Sequence, residues 1–305
     1  TAWLRSPEKT RALRESRCSS EYLPDIRLTE DISITSEMAE TAGVDIVVFA
    51  AGAASVRTVA AAYRSFYKPG QILLSVSKGL EPGTNLRLSE VIASVIPEAR
   101  IAAFSGPCHA EELSKGLPST YVASSNEPGV AEAVQDAFMS PEFRVYTNPD
   151  IIGVELGGAL KNVIAIATGI SDGLGNGDNI RAAIMTRGIV EIARLGLAMG
   201  ARAETFGGLT GIGDLIATCT SAHSRNRRAG FYIGQGKSLE QALNEVHMLV
   251  EGVHTAKTAL ALARQLGVPM PITNEVNNVL FEGKDPGLTV QSLMERDRKS
   301  EYIEG

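Results

Sequence analysis

The chain has 305 residues, 44% hydrophobic and 21% charged, enough for two domains with a sizeable core and too apolar for a disordered polypeptide. Its formal net charge of -6 opposes general affinity for nucleic acid or an anionic membrane, so any local basic cluster stands out against the average. Three widely spaced cysteines, Cys18, Cys108 and Cys219, with no C-x-x-C, suggest neither a disulfide framework nor a metal site and fit a reducing cytosol, while no run of about 18 apolar residues lacks a charge, so no membrane span is expected.

The sequence opens on Thr1-Ala2-Trp3-Leu4-Arg5 and nowhere contains a complete G-x-G-x-x-G. Residues 45–51, 71–77 and 101–105 are near-continuous apolar runs of the kind that strands buried on both faces require. Between them, residues 53–66 and 85–96 carry helical patterns, the second ended by Pro97. This alternation predicts a parallel, doubly wound sheet, with residues 2–4 as its second strand, cut near its start. The expectation is a fragment or trimmed chain whose first strand and glycine-rich phosphate turn, normally the cofactor's pyrophosphate cradle, are missing.

After Tyr146-Thr147-Asn148-Pro149 the pattern becomes helical. Residues 151–170 are apolar nearly all round, as a helix buried between neighbours must be. Further helices are predicted at 179–199, 209–218, 224–235, 238–246, 254–266 and 272–281. The predicted fold class is α/β: an N-terminally truncated, Rossmann-like parallel sheet domain over residues 1–148, then an all-helical substrate and catalytic domain over 149–305, with a ligand cleft between them.

Lys161 lies inside the apolar helix, where it must find a partner, snorkel out or lower its pKa; a lowered pKa suits general acid–base work, and a stem lying along the helix surface is the alternative. Asn162 beside it either orients a ligand or bonds a neighbouring backbone. Lys78 follows the run 71–77 at a strand's carboxyl end, where ligands of open α/β sheets gather, although many loop lysines are only solvated. Gly106 follows the next run, and Gly106-Pro107 serves either close approach to a ligand or an ordinary turn. Cys108 and His109 are adjacent, but no acid or oxyanion signature supports a thiol nucleophile.

Asp214 and Thr218 stand four residues apart, on one face of a helix, placed to orient a lysine or a substrate hydroxyl or to make a local polar contact. Ser224-Arg225-Asn226-Arg227-Arg228 puts a basic patch behind a helix-capping serine. That combination binds phosphate through the helix dipole and bidentate hydrogen bonds, or forms a solvated basic face.

In their order and spacing, Ser77-Lys78-Gly79-Leu80-Glu81, Ser105-Gly106-Pro107, Leu160-Lys161-Asn162, Leu174-Gly175-Asn176-Gly177-Asp178-Asn179, Gly211-Ile212-Gly213-Asp214-Leu215, Ser224-Arg225-Asn226-Arg227 and Val250-Glu251-Gly252-Val253 carry a resemblance over nearly the whole chain. The sequence resembles bacterial-type glycerol-3-phosphate dehydrogenases dependent on NAD or NADP. The resemblance implies reversible reduction of dihydroxyacetone phosphate to sn-glycerol 3-phosphate, feeding glycerophospholipid synthesis in the cytoplasm, with a homodimer as the suggested assembly. It implies Lys161 as the proton donor and acceptor, Asp214 as its support with Thr218 as a neighbour, and Lys78 as a contact to both substrate and cofactor. Gly106, Ser224, Arg225 and Asn226 match substrate-contacting positions, the last three around the phosphate. Ala110, Glu251 and again Arg225 match cofactor contacts.

Three departures accompany it: the absent glycine fingerprint, Ala51-Gly52 in place of Val-Pro, and Cys108-His109 in place of Ser-Phe. Arg5, just past the predicted second strand, is placed to take the 2′-phosphate of NADP where an acidic residue favours NAD, so NADPH is the expected cofactor; a surface arginine is the alternative. Two rivals stand beside this reading: another Rossmann-plus-helical hydroxyacid dehydrogenase, and a noncatalytic remnant that binds a phosphometabolite or a partner.

Overall fold

The computed structural model describes residues 1–19, 22–296 and 298. Strand β1 (Ala2–Trp3) leads into α1 (Pro7–Ser16), whose start is set by Pro7 in its first turn and by Ser6, the side chain of which accepts from Lys9 N–H at 3.2 Å. A hairpin of β2 (Cys18–Ser19) and β3 (Leu23–Arg27) follows, and β4 (Ile34–Thr35) then pairs in parallel with β1. Residues 2–4 are therefore not a strand of the main sheet. Ala2 N–H donates to Ser33 O at 2.7 Å and Leu4 N–H to Thr35 O at 2.8 Å, which closes a separate two-stranded sheet.

The main sheet, among the described residues, runs in the order β5 (Ile46–Phe49), β6 (Ile72–Ser75), β7 (Arg100–Ser105), β8 (Ser119–Ser124) and β9 (Phe143–Asn148). Helices α2 (Val56–Tyr63), α3 (Leu88–Val95), α4 (Ala110–Leu113) and α5 (Val130–Phe138) lie between successive strands. Leu73, Leu74, Ala102 and Ala123 are fully buried, as strands covered on both faces demand. The sheet is parallel-dominated and Rossmann-like, with one reversal: β7 and β8 pair antiparallel. Only the one-turn α4 joins that pair, where a parallel crossover uses a full helix.

From residue 151 the chain is helical. Helix α6 (Ile151–Gly173) is capped by Asp150, which accepts from Gly153 N–H at 2.9 Å. It is long and apolar enough to cross a bilayer, yet 83% of its most apolar window is buried inside the protein, so it is a core helix. Around it stand α7 (Gly177–Ala198), α8 (Ala203–Phe206), a π-helical turn (Leu209–Gly213), α9 (Asp214–Thr220), α10 (Arg225–Gly234), α11 (Leu239–Val246), α12 (Glu251–Gln265), α13 (Pro271–Phe281) and α14 (Pro286–Met294). Helix α10 packs backbone to backbone on α6: a Cβ on Gly169 would lie 2.1 Å from Arg227 O, and one on Gly230 2.2 Å from Ile166 O. Helix α10 is thereby fixed at one depth along α6.

Candidate active site

Two carboxyl-end segments of the main sheet, past β6 and past β7, meet α6. Past β6, Ser77 donates its hydroxyl to Phe49 O at 3.2 Å and Ala51 O at 2.5 Å, which ties the loop after β6 to the end of β5 and holds Lys78 at the sheet's edge. Past β7, Gly106 has φ +152, and a Cβ there would lie 2.7 Å from Thr120 O, so the chain can leave β7 beside β8 only as glycine. On α6, a Cβ on Gly158 would meet Ser105 Oγ at 2.5 Å, and one on Gly157 would meet Thr210 O at 2.4 Å. These two small residues let the end of β7 and the π turn close on the helix one turn before Lys161.

The chemistry gathers where they meet. Lys161 Nζ donates to Asp214 Oδ1 and, at 2.7 Å, to Thr218 Oγ1. Lys78 Nζ donates to Asp214 Oδ2 at 2.8 Å, to Gly106 O at 2.8 Å and to Cys108 Sγ at 3.1 Å. Asp214 is 1% exposed, so its charge is usable only because both oxygens are paired. The four-residue spacing of Asp214 and Thr218 does put both on Lys161, and the Thr218 hydroxyl also bonds Asp214 O at 2.7 Å. Burial pushes the Lys161 ammonium down, Asp214 raises it and the Lys78 charge lowers it again, leaving it at about 8. Burial opposes the Lys78 ammonium as well, but Asp214 and the Cys108 sulfur more than offset this and hold it above the usual lysine range.

Ser224 caps α10, its hydroxyl accepting from Arg227 N–H at 3.3 Å, and is itself buried. Asn226 Nδ2 donates to Asn162 Oδ1 at 3.0 Å, and its Oδ1 accepts from Gly252 N–H at 2.8 Å, so the residue after Lys161 is tied to the first turns of α10 and α12. Arg225 is exposed at the first position of α10. Glu251 opens α12 and accepts from Ala53 N–H at 3.3 Å, just past β5. Burial raises its pKa, and His254 and Arg225 partly offset that. Ala110 is exposed at the start of α4, and Arg5 is exposed between β1 and the cap of α1.

Lys78, Lys161, Asp214, Thr218 and Gly106 thus form one contiguous cluster, Asn226 adjoins it through Asn162 with Ser224 two residues before it at the cap of α10, and Glu251 lies at the ends of β5 and β6. Among the described residues, no hydrogen bond or ion pair joins Arg5 or Ala110 to that cluster. The Cys108 contact with Lys78 is absent from the sequence reading, which weighs Cys108 only beside His109. His109 Nε2 lies 3.3 Å from Ala217 O and its ring 6.1 Å from that of His223, so this loop packs on α9 and the turn before α10. The Gly157-Gly158 pair was the available signal for how closely the sheet approaches Lys161.

A parallel-dominated Rossmann-like sheet, with a lysine at a strand's carboxyl end and a helical domain after it, has the architecture of the dinucleotide-binding class of proteins. Family models described as the N-terminus and the C-terminus of NAD-dependent glycerol-3-phosphate dehydrogenase match residues 1–131 and 150–291. A glycerol-3-phosphate dehydrogenase (NAD(P)+) of Moorella thermoacetica is 52% identical over 304 residues, covering 99% of this chain and 90% of that protein. One of Geobacillus kaustophilus is 51% identical, covering 98% and 88%. The crystal structure of a glycerol-3-phosphate dehydrogenase from Coxiella burnetii superposes with a TM-score of 0.93 at 34% identity, covering 96% of this chain and 90% of that one. The chain belongs to the NAD(P)-dependent glycerol-3-phosphate dehydrogenase family, of bacterial type, and is an oxidoreductase.

The residues present fit a nicotinamide dinucleotide. Gly52 faces the Glu251 carboxylate, where a Cβ would lie 3.3 Å from Oε1, and the buried Ser105 Oγ has no hydrogen-bond partner although it sits between Gly158 and the strand end. These strand-end residues fit the nicotinamide side of the cofactor, whereas a glycine-rich turn for the pyrophosphate is not among the described residues.

Proposed function

We propose that Lys161 is the general acid and base in the reversible reduction of dihydroxyacetone phosphate to sn-glycerol 3-phosphate. The observation that carries this is the pairing of a buried Lys161, at about 8, with Asp214 and Thr218 beside the carboxyl ends of β6 and β7. When bound, the nicotinamide cofactor supplies the hydride in reduction and accepts it in oxidation. In reduction Lys161 gives its proton to the substrate oxygen, and with Lys78 it places positive charge where alkoxide character develops. Asp214 holds both ammonium groups in place. In oxidation neutral Lys161 takes the proton from the hydroxyl.

Ser224, Arg225 and Asn226 form the phosphate clamp, combining a guanidinium, a hydroxyl and an amide with the positive end of α10. Binding energy from the phosphate, remote from the reacting carbon, orients that carbon. Gly106 gives the substrate room at the end of β7. Glu251, Ala110, Lys78 and Arg225 contact the cofactor, and Arg5 favours NADPH. We place the division between a sheet domain and a helical domain at residues 148 and 149, and read the protein as a cytoplasmic homodimer supplying glycerophospholipid synthesis. The test is oxidation of NADPH by the purified enzyme against a panel of ketones. Dihydroxyacetone phosphate should be reduced with a specificity constant far above any hydroxyacid precursor; a preference for an unphosphorylated keto acid sinks the assignment.

A further inference from the structure

The first turn of α10 carries three arginines, Arg225, Arg227 and Arg228, at the positive end of a helix, where cationic side chains are disfavoured. One of them is spent. Arg227 donates from Nε at 2.8 Å and from Nη2 at 2.7 Å to Asp172 Oδ2. The other oxygen, Oδ1, takes Arg181 of α7 through Nε at 2.8 Å and Nη2 at 2.7 Å. The Asp172 carboxylate is 5% exposed, so one buried anion engages two guanidinium groups from two helices. Asp172 lies on α6, eleven residues after Lys161, which at about 100° per residue returns it to nearly the same face about 16 Å along the axis. The lysine that exchanges the proton and the carboxylate that holds the start of α10 are therefore mounted on one rigid rod, against which α10 is already seated by Gly169 and Gly230.

We infer that Asp172 is a positioning residue for phosphate recognition: it withdraws Arg227 from the anion site and fixes the direction of α10, so that Arg225, at the first helical position, is the guanidinium that meets the substrate's phosphate. The inference rests on the proposed phosphate clamp and adds to it the residue that sets its distance from Lys161. In Asp172→Asn the fork on Arg227 loses its charge and the first turn of α10 loses its fixed direction.

The experiment compares dihydroxyacetone phosphate with unphosphorylated dihydroxyacetone in the holoenzyme, its Asp172→Asn variant and its Arg181→Gln variant, which keeps the Asp172–Arg227 pair and serves if the first variant fails to fold. In Asp172→Asn the ratio of the two specificity constants should fall about 10-fold, through KM for the phosphorylated ketone, with kcat within about twofold and KM for NADPH unchanged. Arg181→Gln should give a smaller fall in the same ratio. A merely structural role lowers Tm and reduces turnover of both ketones equally; an unchanged ratio in both folded variants overturns the inference. A parent enzyme that uses both ketones alike would instead remove the phosphate clamp itself, and this inference with it.

Discussion

Asp214 divides its carboxylate between the two lysines, Oδ1 on Lys161 and Oδ2 on Lys78 at 2.8 Å. One negative charge thus serves a buried and a half-buried cation, and the protonation state of either lysine is felt by the other. The outcome is asymmetric: burial, with the Lys78 charge beside it, pushes Lys161 to about 8, whereas at Lys78 burial is more than offset by Asp214 and the Cys108 sulfur, which hold it above the usual range.

The first prediction follows from that asymmetry. On the proposed mechanism ketone reduction needs protonated Lys161, so kcat/KM for reduction should fall as pH rises through about 8, and alcohol oxidation should rise through the same midpoint. Lys161→Ala should lower turnover by roughly 10²- to 10⁴-fold and abolish that midpoint while circular dichroism stays native. A variant that keeps near-parental turnover with its fold intact removes Lys161 from the mechanism.

Asp214→Asn leaves a buried ammonium group, Lys161, and a half-buried one, Lys78, without their shared anion. Breaking a buried pair in this way costs about 3–5 kcal/mol, and proton loss from a lysine relieves part of it. The Lys161 midpoint should move below 8, and reduction at neutral pH should weaken accordingly. Profiles of kcat/KM against pH, taken with thermal melts, check both effects; an unmoved midpoint contradicts the shared-anion account.

Sequence periodicity shows β5, β6 and β7 as unbroken apolar runs; β6 (Ile72–Ser75) is buried on both faces, whereas β5 leaves Val48 exposed. It does not show pairing direction or register, so β8 reads no differently antiparallel than parallel, and the two residues of β1 cannot specify which sheet they join. The spacing of Asp214 and Thr218 identifies them as a pair; their partner, 53 residues before Asp214, is visible only as an out-of-place lysine in an apolar helix. Helix α12 begins at Glu251, three residues before its predicted start, and its Gly252 packs where a Cβ would lie 2.6 Å from Asn226 Oδ1. Contacts between distant polar residues, Asp172 with Arg227 or Cys108 with Lys78, leave no periodic trace at all.

Close backbone packing of α10 on α6 carries the third prediction. In Gly230→Ala the new Cβ would sit 2.2 Å from Ile166 O, so the two helices must separate. Overpacking of this kind costs about 1–3 kcal/mol, which a lowered urea midpoint should register. Because Ser224, Arg225 and Asn226 ride on α10, KM for dihydroxyacetone phosphate should rise more than kcat falls. Equal losses in both parameters would show that the helix spacing does not set the phosphate distance.

Glu191 on α7 gives a pH dependence of stability. Its carboxylate is 3% exposed and accepts from Ile272 N–H at 2.6 Å and Thr273 N–H at 3.2 Å at the start of α13, yet burial outweighs these bonds and pushes its pKa up to about 7. A carboxyl raised in the folded state binds its proton more tightly there than in the unfolded chain. Its contribution is therefore fully present below about 4.5 and is lost as pH rises toward 7, by at most about 3 kcal/mol. Glu191→Gln, which keeps a carbonyl acceptor, should flatten the fall in Tm between pH 5 and 7.5 relative to the parent; parallel Tm curves for the two proteins contradict the assignment.

Cofactor choice supplies the last test. Arg5 is exposed between β1 and Ser6, the cap of α1; since β1 pairs with β4 and not with the main sheet, its proposed place at the ribose 2′ substituent rests on the family resemblance. A guanidinium there recognises a 2′-phosphate through charge-assisted bonds, whereas a carboxylate repels that phosphate and accepts from the free 2′-hydroxyl. The parent enzyme should show a higher kcat/KM for NADPH than for NADH, and Arg5→Asp should shift the ratio toward NADH by about 10-fold or more while leaving KM for dihydroxyacetone phosphate in place. Because the substitution lies on the surface, Tm should stay within a degree or two, which separates loss of 2′-phosphate recognition from loss of structure. Equal specificity constants in the parent, or a ratio that does not respond to Arg5→Asp, would leave Arg5 as a surface residue and move cofactor choice to another contact.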